Sequence, residues 1–320
     1  MYQNTFDSQN KTQRTIFVRN VTVLDCAVLF PDVGPRGRSW HVDVEWTGTT
    51  DNEGVVVDFG TAKKLAKSHI DQFYDHRLWV NSQCFIKNDS DRIIVKSNCN
   101  SDDFNGVFAL SAPLSAVTVI ENSSLSALSF EDNLPDLGTE GVANQIAKTL
   151  LAVSPKNVSA IKVTLRTTDD AKGTHRFAYT HSLKQHDGNC QRFHGHSNIV
   201  EIFQNNKFSP LLSEQCASQL KNRYLINRSY IQENPATDAF LLELVASLKG
   251  IDVTNDHAFV RYDGNQGEVA IIVPRKMVCL LPEESTIENI ANFMHTLMNL
   301  SETSHKVFAY EGLAKGSVFP

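Results

Sequence analysis

Three short segments of the first half of the chain recur, in the same order, in the second half. The pairs are "YDHRLWV" at 74–80 and "NDHAFV" at 255–260, "TEGVANQIAKTL" at 139–150 and "TIENIANFMHTL" at 286–297, and "AKGT" at 171–174 and "AKGS" at 314–317. The separations of the three pairs are unequal, so the copies differ by insertions and deletions. An ordered set of matches of this kind indicates two copies of one structural unit, with a boundary near residue 170.

Strand-like and helix-like segments alternate within each half. "WHVDVEW" at 40–46 alternates apolar and polar residues, which is typical of a half-buried strand. Apolar residues at helical spacing predict helices over 61–74, 138–151, 238–250 and 286–299. Further strand-like runs lie at 15–30, 92–97, 115–120, 159–167, 174–183, 197–203 and 306–312. The sequence therefore predicts an α+β protein.

Composition and charge restrict the class of function. The 320 residues are enough for two domains, and 41% of them are hydrophobic. A net charge of −6 argues against a nucleic-acid partner. The chain has no apolar run of about 18 residues, so we expect no membrane span. Residues 1–14 are predicted to form a polar tail without a signal peptide, and the six cysteines to be reduced, which together indicate a cytoplasmic protein.

The segment "CQRFHGHSN" at 190–198 carries the pattern with the clearest chemistry. On a strand, His194 and His196 point to the same face, and Gly195 between them places no side chain on the other. A third imidazole from a neighbouring strand would complete a metal site, and the candidates are His181, His175 and His186. Of these, His175 and His181 share strand parity. Three neutral histidines that leave one position open are typical of catalytic zinc.

"FAYTHSL" followed by "GNCQRFHGHSN" resembles the zinc and cysteine signature of the 6-pyruvoyltetrahydropterin synthase and 6-carboxytetrahydropterin synthase family. Downstream, "TNDHAF" is similar to the Asp-His pair of that family, and "STIENIA" to the start of one of its helices. Glu311 matches the family's pterin-binding glutamate, with Gly312 in place of the usual threonine. The three residues between Cys190 and His194 match the spacing of the bacterial 6-carboxytetrahydropterin enzymes.

The resemblance implies a lyase that acts on 7,8-dihydroneopterin triphosphate with Zn²⁺ as its cofactor. The implied ligands are His181, His194 and His196. The implied catalytic residues are Cys190, as a thiolate base, and Asp256 and His257, as a proton relay. The implied pterin-binding residues are Glu311, Ser285 and Thr286. Two alternatives stay open: a 6-pyruvoyltetrahydropterin synthase-type activity, and a non-catalytic scaffold that binds zinc or pterin.

The resemblance also implies two tandem tunnelling-fold domains, each an antiparallel four-stranded sheet with two helices on one face. The expected domains are 15–170, a degenerate copy, and 171–320, the zinc-binding catalytic copy. Sheets of this family join edge to edge into barrels, so we expect a homo-oligomer. The favoured form is a trimer of like copies, a pseudo-hexamer in which Asp256 and His257 serve Cys190 of the next chain. In the alternative, an alternating ring, Asp75 and His76 would face Cys190.

The first half keeps few of the expected site residues. The predicted counterparts of His194, Gly195 and His196 are Ser39, Trp40 and His41. No histidine is expected at the counterpart of His181, near which Asp25 and Cys26 lie. Thr168 is predicted to lie opposite Glu311. "VVDF" at 56–59 resembles a segment of the family, and its nearest counterpart in the second half is "LINRSYIQ" at 225–232.

Overall fold

The computed structural model describes residues 13–89, 91–100, 104–131, 136–167, 175–251, 253, 256–313 and 315–320. The predicted boundary between 170 and 171 lies outside these residues, as does Thr168. The first strand begins at Gln13, within the segment predicted as a tail. No helix of the described part is long and apolar enough to cross a membrane.

Eighteen strands and six α-helices make up the described part of the chain. The helices are α1 (Phe59–Phe73), α2 (Asn122–Ala127), α3 (Glu140–Ala152), α4 (Pro210–Leu220), α5 (Ala239–Ser247) and α6 (Ile287–Leu297). The strands of the first half are β1 (Gln13–Phe30), β2 (Gly34–Thr49), β3 (Arg77–Val80), β4 (Phe85–Asn88), β5 (Arg92–Asn100), β6 (Asn105–Pro113), β7 (Val117–Val119) and β8 (Val158–Arg166). Those of the second half are β9 (Arg176–His181), β10 (His194–Gln204), β11 (Lys207–Phe208), β12 (Arg223–Asn227), β13 (Ile231–Gln232), β14 (His257–Gly264), β15 (Gly267–Pro274), β16 (Val278–Leu281), β17 (His305–Tyr310) and β18 (Gly316–Phe319).

The first sheet has the strand order β7-β3-β1-β2-β8. Strands β1, β2 and β8 are antiparallel, whereas β3 and β7 continue the sheet in parallel with β1. Helices α1 and α3 pack on one face over a core that includes Trp40, Trp46 and Trp79. Asp58 caps α1, because its Oδ1 accepts a hydrogen bond from the Thr61 N–H at 2.8 Å.

The second sheet has the strand order β16-β12-β9-β10-β17-β18, and the short β11 pairs with β10. Strands β9, β10 and β17 are antiparallel, and β12 and β16 are parallel to β9. Helices α4 and α6 pack against it through apolar residues that include Cys216, Leu220 and Met294. Except for the added β11 and β18, this is the strand order of the first sheet.

A third, six-stranded sheet joins the two halves. Strands β4, β5 and β6 of the first half meet β15, β14 and β13 of the second, and the junction is the antiparallel pair β6–β15. Helix α5 covers one face of this sheet with Leu241, Leu244 and Leu248. The two halves are therefore connected by hydrogen bonds as well as by packing.

The first and second sheets differ from the expected antiparallel four-stranded sheets. Each of these two sheets is mixed and larger, because the chain crosses over through a helix after its first hairpin and returns in parallel with the first strand. The expectation of two main helices on one face of each sheet agrees with the packing of α1 and α3, and of α4 and α6. The mixed α+β class is as predicted.

The two halves also contact each other closely where β2 crosses β10. A Cβ placed on Gly195 would lie 2.7 Å from the Gly37 Cα and 2.6 Å from the Tyr179 carbonyl oxygen. A Cβ on Gly37 would lie 2.3 Å from the backbone oxygen of His196. Side chains at these two positions are excluded by backbone atoms, so both glycines are needed for first-half residues to reach the second-half site.

Candidate functional site

Three imidazoles converge at the end of the β9–β10 hairpin. His181 lies directly opposite His194 in the antiparallel register, and His196 follows two residues later on the same face of β10. The His181 Nε2 lies 3.0 Å from the Nε2 atoms of both His194 and His196. All three side chains are fully buried. The histidines predicted from "HGHSN" and "FAYTH" are thus brought together.

The outer ring nitrogens of this triad have oxygen neighbours. The His181 Nδ1 lies 3.0 Å from the carbonyl oxygen of Ser285, and the His194 Nδ1 lies 2.8 Å from that of Arg192. Since a carbonyl can only accept, these Nδ1 atoms carry the protons, and in the neutral rings the Nε2 lone pairs face inwards. Burial lowers the pKa of both His181 and His194 well below the usual range, which keeps the rings neutral.

Lone pairs 3.0 Å apart in a buried space repel one another unless a cation lies between them. A proton on one ring can bridge a single pair of nitrogens, whereas a divalent cation serves all three. The three residues therefore fit a metal ion of the zinc type, with a further position left open. His175 packs against Phe208 and His186 is exposed, so neither rival belongs to the triad.

The thiol of Cys190 and an Asp-His pair lie beside the triad, and the pair comes from the first half of the chain. Cys190 stands in a single helical turn just before β10, and its Sγ lies within 4.8 Å of ring nitrogens of His76 and His194. His76 follows α1 in the first half, and its Nδ1 is 2.5 Å from the Asp75 Oδ2. Burial lowers the pKa of His76, but the charges of Asp75 and Cys190 outweigh this and raise it well above its usual value.

The backbone of His76 is held in an uncommon conformation. Its φ is 51°, in the left-handed region that few residues other than glycine and asparagine adopt. Its N–H donates to the carbonyl oxygen of Asp25 at 2.7 Å, which ties the loop to β1. The conformation directs the ring towards His194, and the two ring centroids are 4.6 Å apart. A non-glycine residue held at positive φ beside a reactive cluster is typical of a functional position.

Asp256 and His257 lie away from the triad of their own chain, and the expectation was that they serve Cys190 of the next chain. They stand at the start of β14 in the third sheet, where the His257 Nε2 accepts a hydrogen bond from the Val107 N–H at 3.1 Å. Asp256 is exposed, and its carbonyl accepts from the Arg275 N–H. Within the chain, the position beside Cys190 belongs to His76. The matching letters "DH" therefore occupy different places: a loop after a helix in one half and the start of a hairpin in the other.

Of the three expected pterin-binding residues, Ser285 contacts the triad, and Thr286 and Glu311 have other partners. Ser285 is fully buried, and its carbonyl contacts His181, while Thr286 caps α6 through the Asn289 N–H. Glu311 lies just after β17, and its Oε2 is 3.3 Å from the Lys315 Nζ. Lys315 was not predicted, although it is the lysine of the repeated "AKG" segment.

Asp25, on β1, is a further site residue. Its position in the sequence did not predict that it would lie beside the triad of the second half. Its Oδ1 is 3.2 Å from the His196 Nδ1, and it accepts a hydrogen bond from the Ser39 Oγ at 2.5 Å. Burial raises the pKa of Asp25, but the adjacent His196 outweighs this effect and the pKa falls below its ordinary value.

Comparison with known proteins agrees with the motifs. Residues 34–176 match the model of the 6-pyruvoyl tetrahydropterin synthase family. This part of the chain is similar to a domain of that family. The resemblance drawn from "FAYTHSL" and "HGHSN" is thus confirmed at the level of the family, although the matched residues lie almost wholly in the first half and the motifs in the second.

Solved structures of 6-pyruvoyl tetrahydropterin synthases are similar to part of the chain. A Plasmodium vivax enzyme is 17% identical, with a TM-score of 0.34, over 49% of this chain and 93% of its own. The Plasmodium falciparum enzyme is 16% identical, with the same TM-score and coverage. No curated protein shows significant similarity to the chain.

Matching hydrogen bonds identify which first-half positions correspond to the triad. His76, with φ 51°, donates to the Asp25 carbonyl at 2.7 Å, and Asn222, with φ 59°, donates to the Ala178 carbonyl at the same distance. Following the strand registers from these points, the counterparts of His181, His194 and His196 are Val28, Arg36 and Arg38. "RGRS" at 36–39 therefore corresponds to "HGHS" at 194–197, and the expected match to Ser39, Trp40 and His41 is corrected by three residues.

The same registers correct two further expectations. Thr167, not Thr168, corresponds to Glu311. Asp58, the third residue of "VVDF", is the N-cap of α1, and Ser209 is the N-cap of α4. The counterpart of "VVDF" therefore precedes α4 and is not "LINRSYIQ". Arginine has no lone pair for a metal. Within the described residues, both clusters suited to a metal contain His194, and neither involves Arg36 or Arg38.

Proposed function

We propose that the chain is a zinc-dependent lyase that acts on 7,8-dihydroneopterin triphosphate, with a reaction of the 6-carboxytetrahydropterin synthase type. The observation that most supports this is the convergence of three buried histidine Nε2 atoms with a partly buried thiol and an Asp-His pair. A cation, a base and a proton relay are what proton abstraction next to a hydroxyl group requires. The three-residue gap between Cys190 and His194 favours the 6-carboxy type over the 6-pyruvoyl type.

The triad would hold the metal, and the substrate would take the open position. When bound, zinc supplies Lewis acidity, which makes protons on carbons next to the coordinated hydroxyls easier to remove. His181, His194 and His196 keep this position fixed because their outer nitrogens contact Ser285, Arg192 and Asp25.

Cys190 is the proposed base. As a thiolate it takes a proton from a carbon of the substrate side chain, and the neighbouring His76 stabilises the negative charge before transfer. Asp75 holds the His76 ring through Nδ1 and favours its protonated form, so the far side of the ring can exchange a proton with Cys190 or substrate. In this proposal Asp75 and His76 take the roles first assigned to Asp256 and His257.

Glu311 is the proposed receptor for the pterin N–H edge. Its carboxylate can accept two parallel hydrogen bonds, and Lys315 pairs with it at 3.3 Å. Ser285 acts in this proposal through its carbonyl, which orients His181, and Thr286 fixes the start of α6 beside it.

The proposed architecture is a tandem pair of tunnelling-fold domains whose hairpins have merged into one sheet. It is supported by the shared order of strands and helices in the two halves. Both main sheets end in edge strands, β7 and β8 in one and β16 and β18 in the other, which like copies could pair. We expect a trimer of chains in sedimentation velocity experiments, and a monomer at micromolar concentration would contradict this arrangement.

The purified, zinc-loaded chain is expected to convert 7,8-dihydroneopterin triphosphate and one water molecule into 6-carboxytetrahydropterin, acetaldehyde and triphosphate. The assay is anaerobic, follows the pterin by chromatography and detects acetaldehyde with a coupled alcohol dehydrogenase. The metal content, measured by mass spectrometry, is expected to be close to one zinc per chain, because the first half has arginines at two ligand positions. The chelator-stripped chain is the control and should be inactive until zinc is restored.

Each alternative gives a different result in this assay. Triphosphate without acetaldehyde would indicate the 6-pyruvoyl type of reaction. Zinc binding without any turnover would indicate a scaffold, and a chain that binds far less than one zinc would contradict every version of the proposal.

A further inference from the structure

Asp25 lies at the contact between the two halves and is almost completely buried, with 1% of its surface exposed. Its carboxylate reaches the His196 Nδ1 at 3.2 Å, while Ser39 donates to it from the neighbouring strand. The half-exposed Lys315 also pairs with it, with its Nζ at 3.9 Å, and the charge of His76 acts on it as well. A buried carboxylate is costly unless positive charge is close by. A cation held by His196 and its partners supplies that charge.

The three triad rings are not held in the same way. His181 and His194 each have a backbone carbonyl at Nδ1, whereas His196 has a carboxylate. A carboxylate behind a ligating imidazole makes it a stronger donor to the metal and fixes its orientation. The second-half residue that corresponds to Asp25 is Ala178, so the described chain contains this carboxylate once, at its single triad.

The backbone of Asp25 holds the Asp-His pair in place. Its N–H donates to the Asp75 Oδ1 at 2.8 Å, and its carbonyl accepts from the His76 N–H at 2.7 Å. Asp25 therefore contacts the His196 Nδ1 with its side chain. Its main chain contacts both Asp75 and His76, the members of the relay.

Gly312 is matched to this carboxylate. Its φ is +65°, and a Cβ at this position would lie 2.6 Å from the Asp25 Oδ1. A side chain at this position would therefore displace the Asp25 carboxylate, and the positive φ favours glycine as well.

We propose that Asp25 is a positioning residue, supplied by the first half, that orients His196 for metal binding and aligns the relay with the metal. This inference rests on the proposed metal site. It assigns the first half a direct role in metal affinity, in addition to the relay it contributes.

Replacing Asp25 by asparagine is expected to weaken zinc binding about 10–100-fold, the range typical of partners of metal-ligating histidines. The affinity is measured by competition with a chromophoric chelator on the full chain. Substituting Co²⁺ gives a second readout, because a misoriented His196 would shift the visible absorption bands. The matched control is Asp43→Asn, which removes another buried carboxylate of the same sheet, one paired with Arg166 at 2.8 Å. Its zinc affinity should equal that of the wild type.

Ser39→Ala provides a second variant in case Asp25→Asn does not fold. It removes the hydroxyl that orients the carboxylate while keeping the charge, and a smaller loss of zinc affinity, a few-fold, is expected. Unchanged zinc affinity in Asp25→Asn, or in Ser39→Ala where the first does not fold, would overturn the role of Asp25. If the wild-type chain itself binds no zinc, the proposed function fails instead, so the two failures are distinguishable.

Discussion

Replacing His76 by asparagine is expected to lower kcat by about two to four orders of magnitude, the usual contribution of a general acid or base. Asparagine is the appropriate replacement because Asn222 adopts nearly the same φ at the corresponding place, 59° against 51°. The backbone hydrogen bond to Asp25 should therefore survive, and the loss should report on the imidazole alone. The measurement is steady-state turnover of 7,8-dihydroneopterin triphosphate by zinc-loaded protein, with the zinc content determined on the same sample.

The matched control is His257→Gln. Glutamine can keep the acceptor that His257 offers to the Val107 N–H, and the residue lies in the third sheet, away from the triad. Its kcat is expected to stay within a few-fold of the wild type. If His257→Gln abolished turnover while His76→Asn did not, a second chain would have to supply the relay, as in the trimer first expected from the sequence.

The sequence predicts structure best where a pattern involves residues that are close together in the chain. The triad could be predicted because His194 and His196 are two residues apart on one strand and His181 lies in a neighbouring strand segment. Helices α1, α3, α5 and α6 could be predicted from apolar periodicity. Helix α4 was missed, although Ser209 and Pro210 are a typical helix start.

The rest depends on contacts between distant segments. The parallel strands β3 and β12 are short and apolar, so their sequence does not reveal their partners. The choice between His76 and His257 required the packing of one half on the other, since both follow an aspartate. Arg36 and Arg38 could be matched to the triad only through the strand registers, because the β1–β2 turn is much shorter than the β9–β10 loop. The segments "RGRS" and "HGHS" nevertheless share a glycine and a serine, and this similarity indicates the same correspondence.

The second large effect is expected for Cys190→Ala, which should lower kcat by about two to four orders of magnitude and leave zinc bound. The thiol lies close to His194, but the three imidazole nitrogens already form a set of ligands without it. Turnover and zinc content of the variant are measured together. Cys279→Ala is the matched control: this thiol lies on β16, burial raises its pKa to about 11, and its loss should leave turnover unchanged.

The zinc content of Cys190→Ala separates two chemical roles that the geometry brings close together. His76, Cys190 and His194 also form a group whose ligand atoms lie within 4.8 Å of one another, so a metal could in principle use the thiol. That position would leave the Nε2 atoms of His181 and His196 facing each other across a buried space without a cation, which is the less favourable arrangement. A base that is not a ligand can be removed without loss of metal, whereas a ligand cannot. Loss of zinc from Cys190→Ala would therefore reassign the thiol to the metal and leave His76, already charged beside Asp75, without a base to exchange protons with.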